Sequence, residues 1–159
     1  MLLLLDGPRS RPLVPTRTSL VLEAPLDFSL SFLELPQDAH VASNALAFAI
    51  RDGFPVTPGH TLIVPRRLVA GWFEATREEQ VAMLELVDAV KAQLDAELRP
   101  DGYNIGINAG AAAGQTVMHL HMHLIPRFNG DVPDPRGGIR HVIPGKGNYL
   151  LAASYKEQS

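Results

Sequence analysis

Met118-His119-Leu120-His121-Met122-His123-Leu124-Ile125 alternates imidazole with hydrocarbon. Side chains at i, i+2 and i+4 of a strand share a face. The segment therefore reads as a strand, His119 to Ile125, with His119, His121 and His123 on one side and Leu120, Met122 and Leu124 on the other. The hydrocarbon side is the core side. Three imidazoles in a row gain nothing over valine as packing, so the other side points to chemistry. A metal is one candidate. At a rise of ~3.3 Å per residue the outer Cα atoms lie ~13 Å apart, too far for all three rings to hold one ion. Two at most would ligate, and a third ligand would have to come from His60, His40, His141 or a distant carboxylate.

Just upstream, Ala113-Gly114-Gln115-Thr116 offers successive backbone N–H groups on a glycine-rich turn, a side-chain amide and a hydroxyl. Such a turn can cradle a phosphate. A phosphate seat beside a row of histidines favours nucleophilic chemistry on a nucleotide over metal binding.

Working outward, Gly102 to Asn108 reads as a preceding strand, with a turn from Ala109 to Gly114. Thr76 followed by Glu79 makes a capping box. Val81, Leu84, Val87, Val90, Leu94 and Leu98 then recur at helical spacing up to Pro100, which predicts a helix from Thr76 to Leu98. Ala45 to Ile50 and Thr61 to Val64 read as a hairpin around a loop stiffened by Pro55 and Pro58. The order β-β-α-β-β favours an α+β fold, an antiparallel sheet meander with one long helix and a short one. Residues 1–36 hold five prolines and read as an N-terminal extension with one edge strand at Ser19 to Glu23. The domain proper is 37–159. Its Pro/Gly-rich tail begins near 127, and the irregular stretch Gly130 to Lys146 is of the kind that is either functional or disordered.

The chain has 159 residues, 46 % of them apolar, enough for one domain. Fourteen basic against seventeen acidic side chains leave a net charge of -3, which excludes the basic footprint of a nucleic-acid groove. The absence of cysteine excludes disulfides, thiolate metal sites and a thiol nucleophile. The leucine run at 2–5 ends at Asp6, too short for a signal peptide, and no stretch reaches the ~20 apolar residues of a membrane span. A cytoplasmic protein with no membrane partner is expected.

Gly114-Gln115-Thr116-Val117-Met118-His119-Leu120-His121-Met122-His123-Leu124 resembles the signature of the histidine triad (HIT) superfamily, and its Gln-Thr-Val lead-in is similar to the fragile-histidine-triad branch that hydrolyses dinucleoside polyphosphates. The resemblance runs from about Ala45 to Pro126 and includes Ala47-Phe48-Ala49-Ile50-Arg51-Asp52 and Pro58-Gly59-His60. The tail Gly130-Asp131-Val132-Pro133-Asp134-Pro135-Arg136-Gly137-Gly138 is similar to that of a bacterial subgroup.

The resemblance implies that His121 attacks the α-phosphorus of a nucleotide and carries it covalently. A backbone carbonyl taking the Nδ1–H would leave Nε2 free as the nucleophile. It also implies that His119 and His123 orient the ring network and contact phosphate oxygens, that Gln115 and Thr116 bind the phosphates and assist the leaving group, and that Asn108 on the preceding strand reaches the same phosphates. Asp52 would hold the ribose hydroxyls, Ile50 would line the base pocket, and His60 would join the triad. The other two histidines, His40 and His141, carry no such warrant and read as surface or tail residues, and Arg136 and Arg140 as solvated loop arginines.

Relatives with a structural zinc carry Cys-x-x-Cys near the N-terminus and a histidine after the second strand. Here Ser31-Phe32-Leu33-Glu34 and Pro65-Arg66-Arg67-Leu68 stand instead, so no metal is expected. The implied partners are a small-molecule nucleotide and a second copy of the chain. No cofactor is required, although magnesium can accompany a polyphosphate substrate.

Overall fold

Thr76 starts the longest element of the computed structural model, which describes residues 32–150. Its hydroxyl accepts from the Glu79 N–H at 3.2 Å, and the Glu79 carboxylate accepts from the Thr76 N–H at 2.8 Å, so the expected capping box closes in both directions. The helix, α1, runs Arg77–Glu97 and ends at Leu98. The shorter helical pieces are 3-10 turns, among them Trp72–Glu74 and Gly138–Val142. The edge strand expected at 19–23 lies outside the described residues.

Five strands form one antiparallel sheet: β1 His40–Ser43, β2 Ala47–Arg51, β3 Thr61–Pro65, β4 Gly102–Gly106 and β5 Met122–Arg127. Their spatial order is β1-β2-β3-β5-β4. The class is α+β. The strand β1 was not anticipated: it has four residues, and His40, read as a surface residue, lies on it with its ring stacked on Phe48, centroids 4.3 Å apart.

The helix and the site lie on opposite faces of this sheet. Ala47 and Ala49 of β2, Ile63 of β3 and Met122 and Leu124 of β5 meet Met83, Leu86, Val87, Val90 and Leu94 of α1 in the main core. Alanines at 47 and 49 let helix and sheet approach closely. On the other face Phe48, Ile50, Leu62 and Val64 form a smaller cluster, with Phe32 packed against it. β2 and β3 are thus covered on both sides, which accounts for their nearly continuous apolar runs.

The histidine strand starts later than its alternation suggests, at Met122 instead of His119, and β4 ends at Gly106 instead of Asn108. Ahead of β5 the chain bonds to the β3–α1 connection. Leu120 N–H donates to Val69 O at 2.7 Å, and His119 Nε2 lies 2.9 Å from Pro65 O. The alternation of faces nevertheless carries through: Leu120, Met122 and Leu124 are all in the main core.

Candidate active site

Gly59 sets the position of His60. Its φ is +84°, and a Cβ there would come within 2.7 Å of Leu94 and Leu98 at the end of α1, so only glycine fits. The Thr57 hydroxyl donates to Pro126 O at 2.7 Å, fastening the same loop to β5. His60 is buried beside its strand neighbour, with its Nε2 3.0 Å from His123 Nδ1. On its other side, His60 Nδ1 has the Asp52 carboxylate at 3.3 Å and the Val56 N–H at 3.3 Å. Asp52 itself accepts from the Phe54 N–H at 2.8 Å.

His121 sits at 8 % exposure with its Nδ1 2.8 Å from the carbonyl oxygen of His119. A carbonyl can only accept, so Nδ1 carries a proton, and the neutral form of the ring has its lone pair on Nε2. The His123 ring stands edge-on to it at 5.1 Å, and the Phe32 ring at 5.2 Å.

His121, His123, Asp52, Ile50 and Thr116 share one cavity of about 570 Å³, with Phe32 and the exposed Phe54 also in its wall. His60 and Asn108 open instead onto a neighbouring cavity of about 790 Å³, whose wall also includes His123. Two residues expected at the phosphates are placed elsewhere. His119 is fully buried under the Phe32 ring and lines neither cavity. Gln115 is buried with its amide consumed: Nε2 donates to Ala70 O and Val117 O, and Oε1 accepts from Gly110 N–H. It holds the glycine-rich loop in shape. Phe32, Phe54 and Leu35 were missed as wall residues. No spacing marks Phe32, which lies in the proline-rich stretch.

Burial dominates the electrostatics. It lowers the pKa of His60 against the opposing pull of Asp52, and lowers that of His119. His123 is pushed down to about 4, first by burial and then by repulsion from His121 and His60. The rings of His60 and His123 are therefore neutral at pH 7 in the free protein. Asp52, His60 and His123 also offer three ligand atoms within 4.8 Å of one another, the one such group among the described residues. Their hydrogen bonds already account for that spacing.

A row of closely packed imidazoles, with His121 lining a cavity, coincides with a family match. Residues 35–130 match the HIT domain family. The chain belongs to this family. An AP-4-A phosphorylase of Mycobacterium tuberculosis is 33 % identical over 106 residues, 63 % of this chain and 54 % of that one. An asymmetrical bis(5'-nucleosyl)-tetraphosphatase of Schizosaccharomyces pombe is 38 % identical over 101 residues, 64 % of this chain and 54 % of that one. The HIT chain thus spans little more than half the length of these curated relatives. Among solved structures, a Hit-like protein of Bartonella henselae superposes with a TM-score of 0.57 at 31 % identity, covering 61 % of this chain and 73 % of that one. No helix among the described residues is long and apolar enough to cross a membrane.

Proposed function

We propose that this HIT domain is a nucleotide hydrolase that works through a covalent nucleotidyl group on His121, taking a dinucleoside polyphosphate or a nucleoside phosphoramidate to a nucleoside monophosphate. The observation that carries this is the 2.8 Å contact from His121 Nδ1 to His119 O, which in the neutral ring puts the lone pair on Nε2. His121 Nε2 bonds to the α-phosphorus as the bond to the leaving atom breaks and its electron pair departs with that atom. An anionic phosphate beside the His60–His123 pair raises the pair's proton affinity, so the complex carries one added proton there. A leaving nitrogen takes that proton from His123. Water then attacks phosphorus and returns a proton to His123, and the N–P electron pair goes back to Nε2. Thr116 meets the phosphate and Asp52 the ribose from the same cavity. His119 and Gln115 act through the backbone as positioning residues.

No resident metal enters this scheme; magnesium can travel with a polyphosphate substrate. The second reading is a phosphorylase that discharges the same intermediate to inorganic phosphate, favoured by the resemblance to the M. tuberculosis enzyme. The working unit is proposed to be a cytoplasmic homodimer. Intact-protein mass after brief incubation with diadenosine tetraphosphate or an adenosine phosphoramidate tests the mechanism. An added nucleoside monophosphate, or released product, in wild type and neither in His121→Ala is expected. Turnover surviving in His121→Ala overturns it. Product analysis with and without inorganic phosphate separates hydrolase from phosphorylase.

A further inference from the structure

Phe54 is 92 % exposed, yet its loop is fastened at several points. Its N–H donates to the Asp52 carboxylate at 2.8 Å, and Pro55, next in the chain, keeps residue 54 out of the helical region. Further along, the Val56 N–H reaches His60 Nδ1 at 3.3 Å, and the Thr57 hydroxyl donates to Pro126 O at 2.7 Å. The Asp52 N–H closes the loop on His60 O at 3.0 Å. A large apolar ring is thus held in water at the wall of the cavity that contains His121. An exposed hydrocarbon by itself calls for no explanation. Phe73, 87 % exposed, is of that kind and lines neither cavity beside the histidines. Phe54 differs in where it stands.

The wall of this cavity sorts into two kinds of side chain. Asp52, Thr116, His121 and His123 are polar, as is Arg51, whose guanidinium is engaged by Thr61 and Glu97. The remaining side chains are hydrocarbon or aromatic: Phe32, Leu35, Ile50, Phe54, Leu62 and Val117. Ile50 and Leu62 pair across β2 and β3 and are buried, with Phe32 packed against their cluster. With ribose and phosphate assigned to the polar group, the base of a nucleotide falls to the apolar one. Those side chains offer its edge no donor or acceptor and can hold it only by its faces. The Phe32 ring is already packed on His119 and His121. The Phe54 ring is free, and Gly53 before it leaves space, since a Cβ there would meet nothing within 4 Å.

We infer that Phe54 stacks on the base of the nucleotide whose phosphorus His121 attacks, and that through this ring the site holds a purine more tightly than a pyrimidine. The inference rests on the reading above for the placing of phosphate at His121 and ribose at Asp52. Covering an exposed phenyl face with a base removes apolar surface of both partners from water. Stacking of a base on an aromatic side chain tolerates any base, because every base has a π-face. A purine has two fused rings where a pyrimidine has one, so it covers more of Phe54.

Calorimetry with AMP, CMP and ribose 5-phosphate tests this on wild type, Phe54→Ala, Phe54→Trp and the control Phe73→Ala. In Phe54→Ala the AMP Kd is expected to rise about fivefold or more, the CMP Kd less, and the ribose 5-phosphate Kd less than about twofold. Its melting temperature should stay at the wild-type value, because the ring is exposed. Phe54→Trp should bind AMP at least as tightly as wild type, and Phe73→Ala as wild type does. In NMR spectra the Phe54 ring protons should move upfield with AMP and stay in place with ribose 5-phosphate. An AMP Kd unchanged in Phe54→Ala overturns the inference. So does equal weakening of AMP and ribose 5-phosphate, which would make Phe54 a support for the Asp52 loop, and so does equal weakening of AMP and CMP for the purine preference. AMP bound through Phe54 in a protein that forms no nucleotidyl adduct supports the base contact and sinks the mechanism. An adduct formed with Phe54→Ala binding AMP as wild type does leaves the mechanism and sinks the base contact.

Discussion

The carbonyl oxygen of His119 accepts the Nδ1–H of His121 at 2.8 Å, so the residue two positions before the proposed nucleophile fixes its tautomer with backbone. The His119 ring does separate work, pinning that backbone to the end of β3 at Pro65. The two histidines should therefore fail differently. His121→Ala is expected to lower kcat by about 10³-fold or more, with AMP still bound. His119→Ala should lower kcat by about ten- to a hundredfold with KM little changed and cost about 2 kcal/mol of stability, because it opens a buried space under Phe32 and leaves Pro65 O unpaired. Steady-state kinetics with urea unfolding checks both.

Asp52, His60 and His123 form a chain ending beside His121. The carboxylate favours a proton on His60 Nδ1, which makes His60 Nε2 the acceptor for His123 Nδ1–H. The Val56 N–H favours the opposite arrangement. Asp52→Asn keeps an oxygen for the Phe54 N–H and removes the charge. The expected result is a change of tautomer at His60 and His123, read by ¹⁵N NMR, with kcat reduced about ten- to a hundredfold. An unchanged ¹⁵N pattern with normal kcat would show that Asp52 serves the ribose alone.

Arg67 occupies the region where zinc-bearing relatives place a histidine. Its guanidinium grips the Glu79 carboxylate at 2.7 and 2.8 Å, and that carboxylate also caps α1 at Thr76. An ion pair joined to a helix cap thus fastens the β3–α1 connection. Thr76→Ala is expected to cost about 1 kcal/mol. Glu79→Ala should cost more, since it removes cap and ion pair together, and Arg67→Ala less than Glu79→Ala. Arg67 and the Thr76 N–H, against the opposing effect of burial, hold the carboxyl of Glu79 below its ordinary range, so this contribution is present above the unfolded carboxylate pKa and lost as pH falls through the folded one. Thermal unfolding of the three variants, with metal analysis of the purified protein, checks the order.

What was legible in the sequence follows the range of the interactions. The helix was readable because its cap is four residues long and apolar residues recur along it, but only Val87, Val90 and Leu94 of the expected stripe are buried; Val81, Leu84 and Leu98 are exposed, and Met83 and Leu86 take the core positions instead. Both β2 and β3 were readable because their runs lie between loop residues. The alternation His119, His121, His123 gave the face of each ring correctly. The start of the strand at Met122 was not readable, since it depends on Val69 and Pro65 capturing residues 119 and 120 from some fifty positions away. Gln115 was misplaced for the same reason: its amide is spent on Ala70 O, a partner that no local pattern reveals. The 3-10 turn Gly138–Val142 depends on glycine positions whose need appears only when Gly137 meets Gly147.

Acid sensitivity should trace to the histidine cluster before the carboxylates respond. His123 has its pKa pushed down to about 4 with Asp52 the only facing group that opposes the shift, and His60 and His119 are lowered by burial as well. In the unfolded chain these rings bind protons near 6.5. Their neutral burial is therefore fully compatible with the native state above pH 6.5, and stability falls as pH drops from 6.5 toward 4, where the unfolded chain takes up protons the native one refuses. At about 1.4 kcal/mol per unit, His123 alone accounts for a loss on the order of 3 kcal/mol across that window. Asp131, held down to about 2 by Arg127, titrates below it. Urea midpoints measured from pH 7.5 to 4.5 should decline in wild type and decline less in His123→Gln. AMP should oppose the decline, because its phosphate raises the proton affinity of the His60–His123 pair, and calorimetry in buffers of differing ionisation enthalpy should record proton uptake on AMP binding near pH 6. Binding without proton uptake would mean that the phosphate does not sit against this pair.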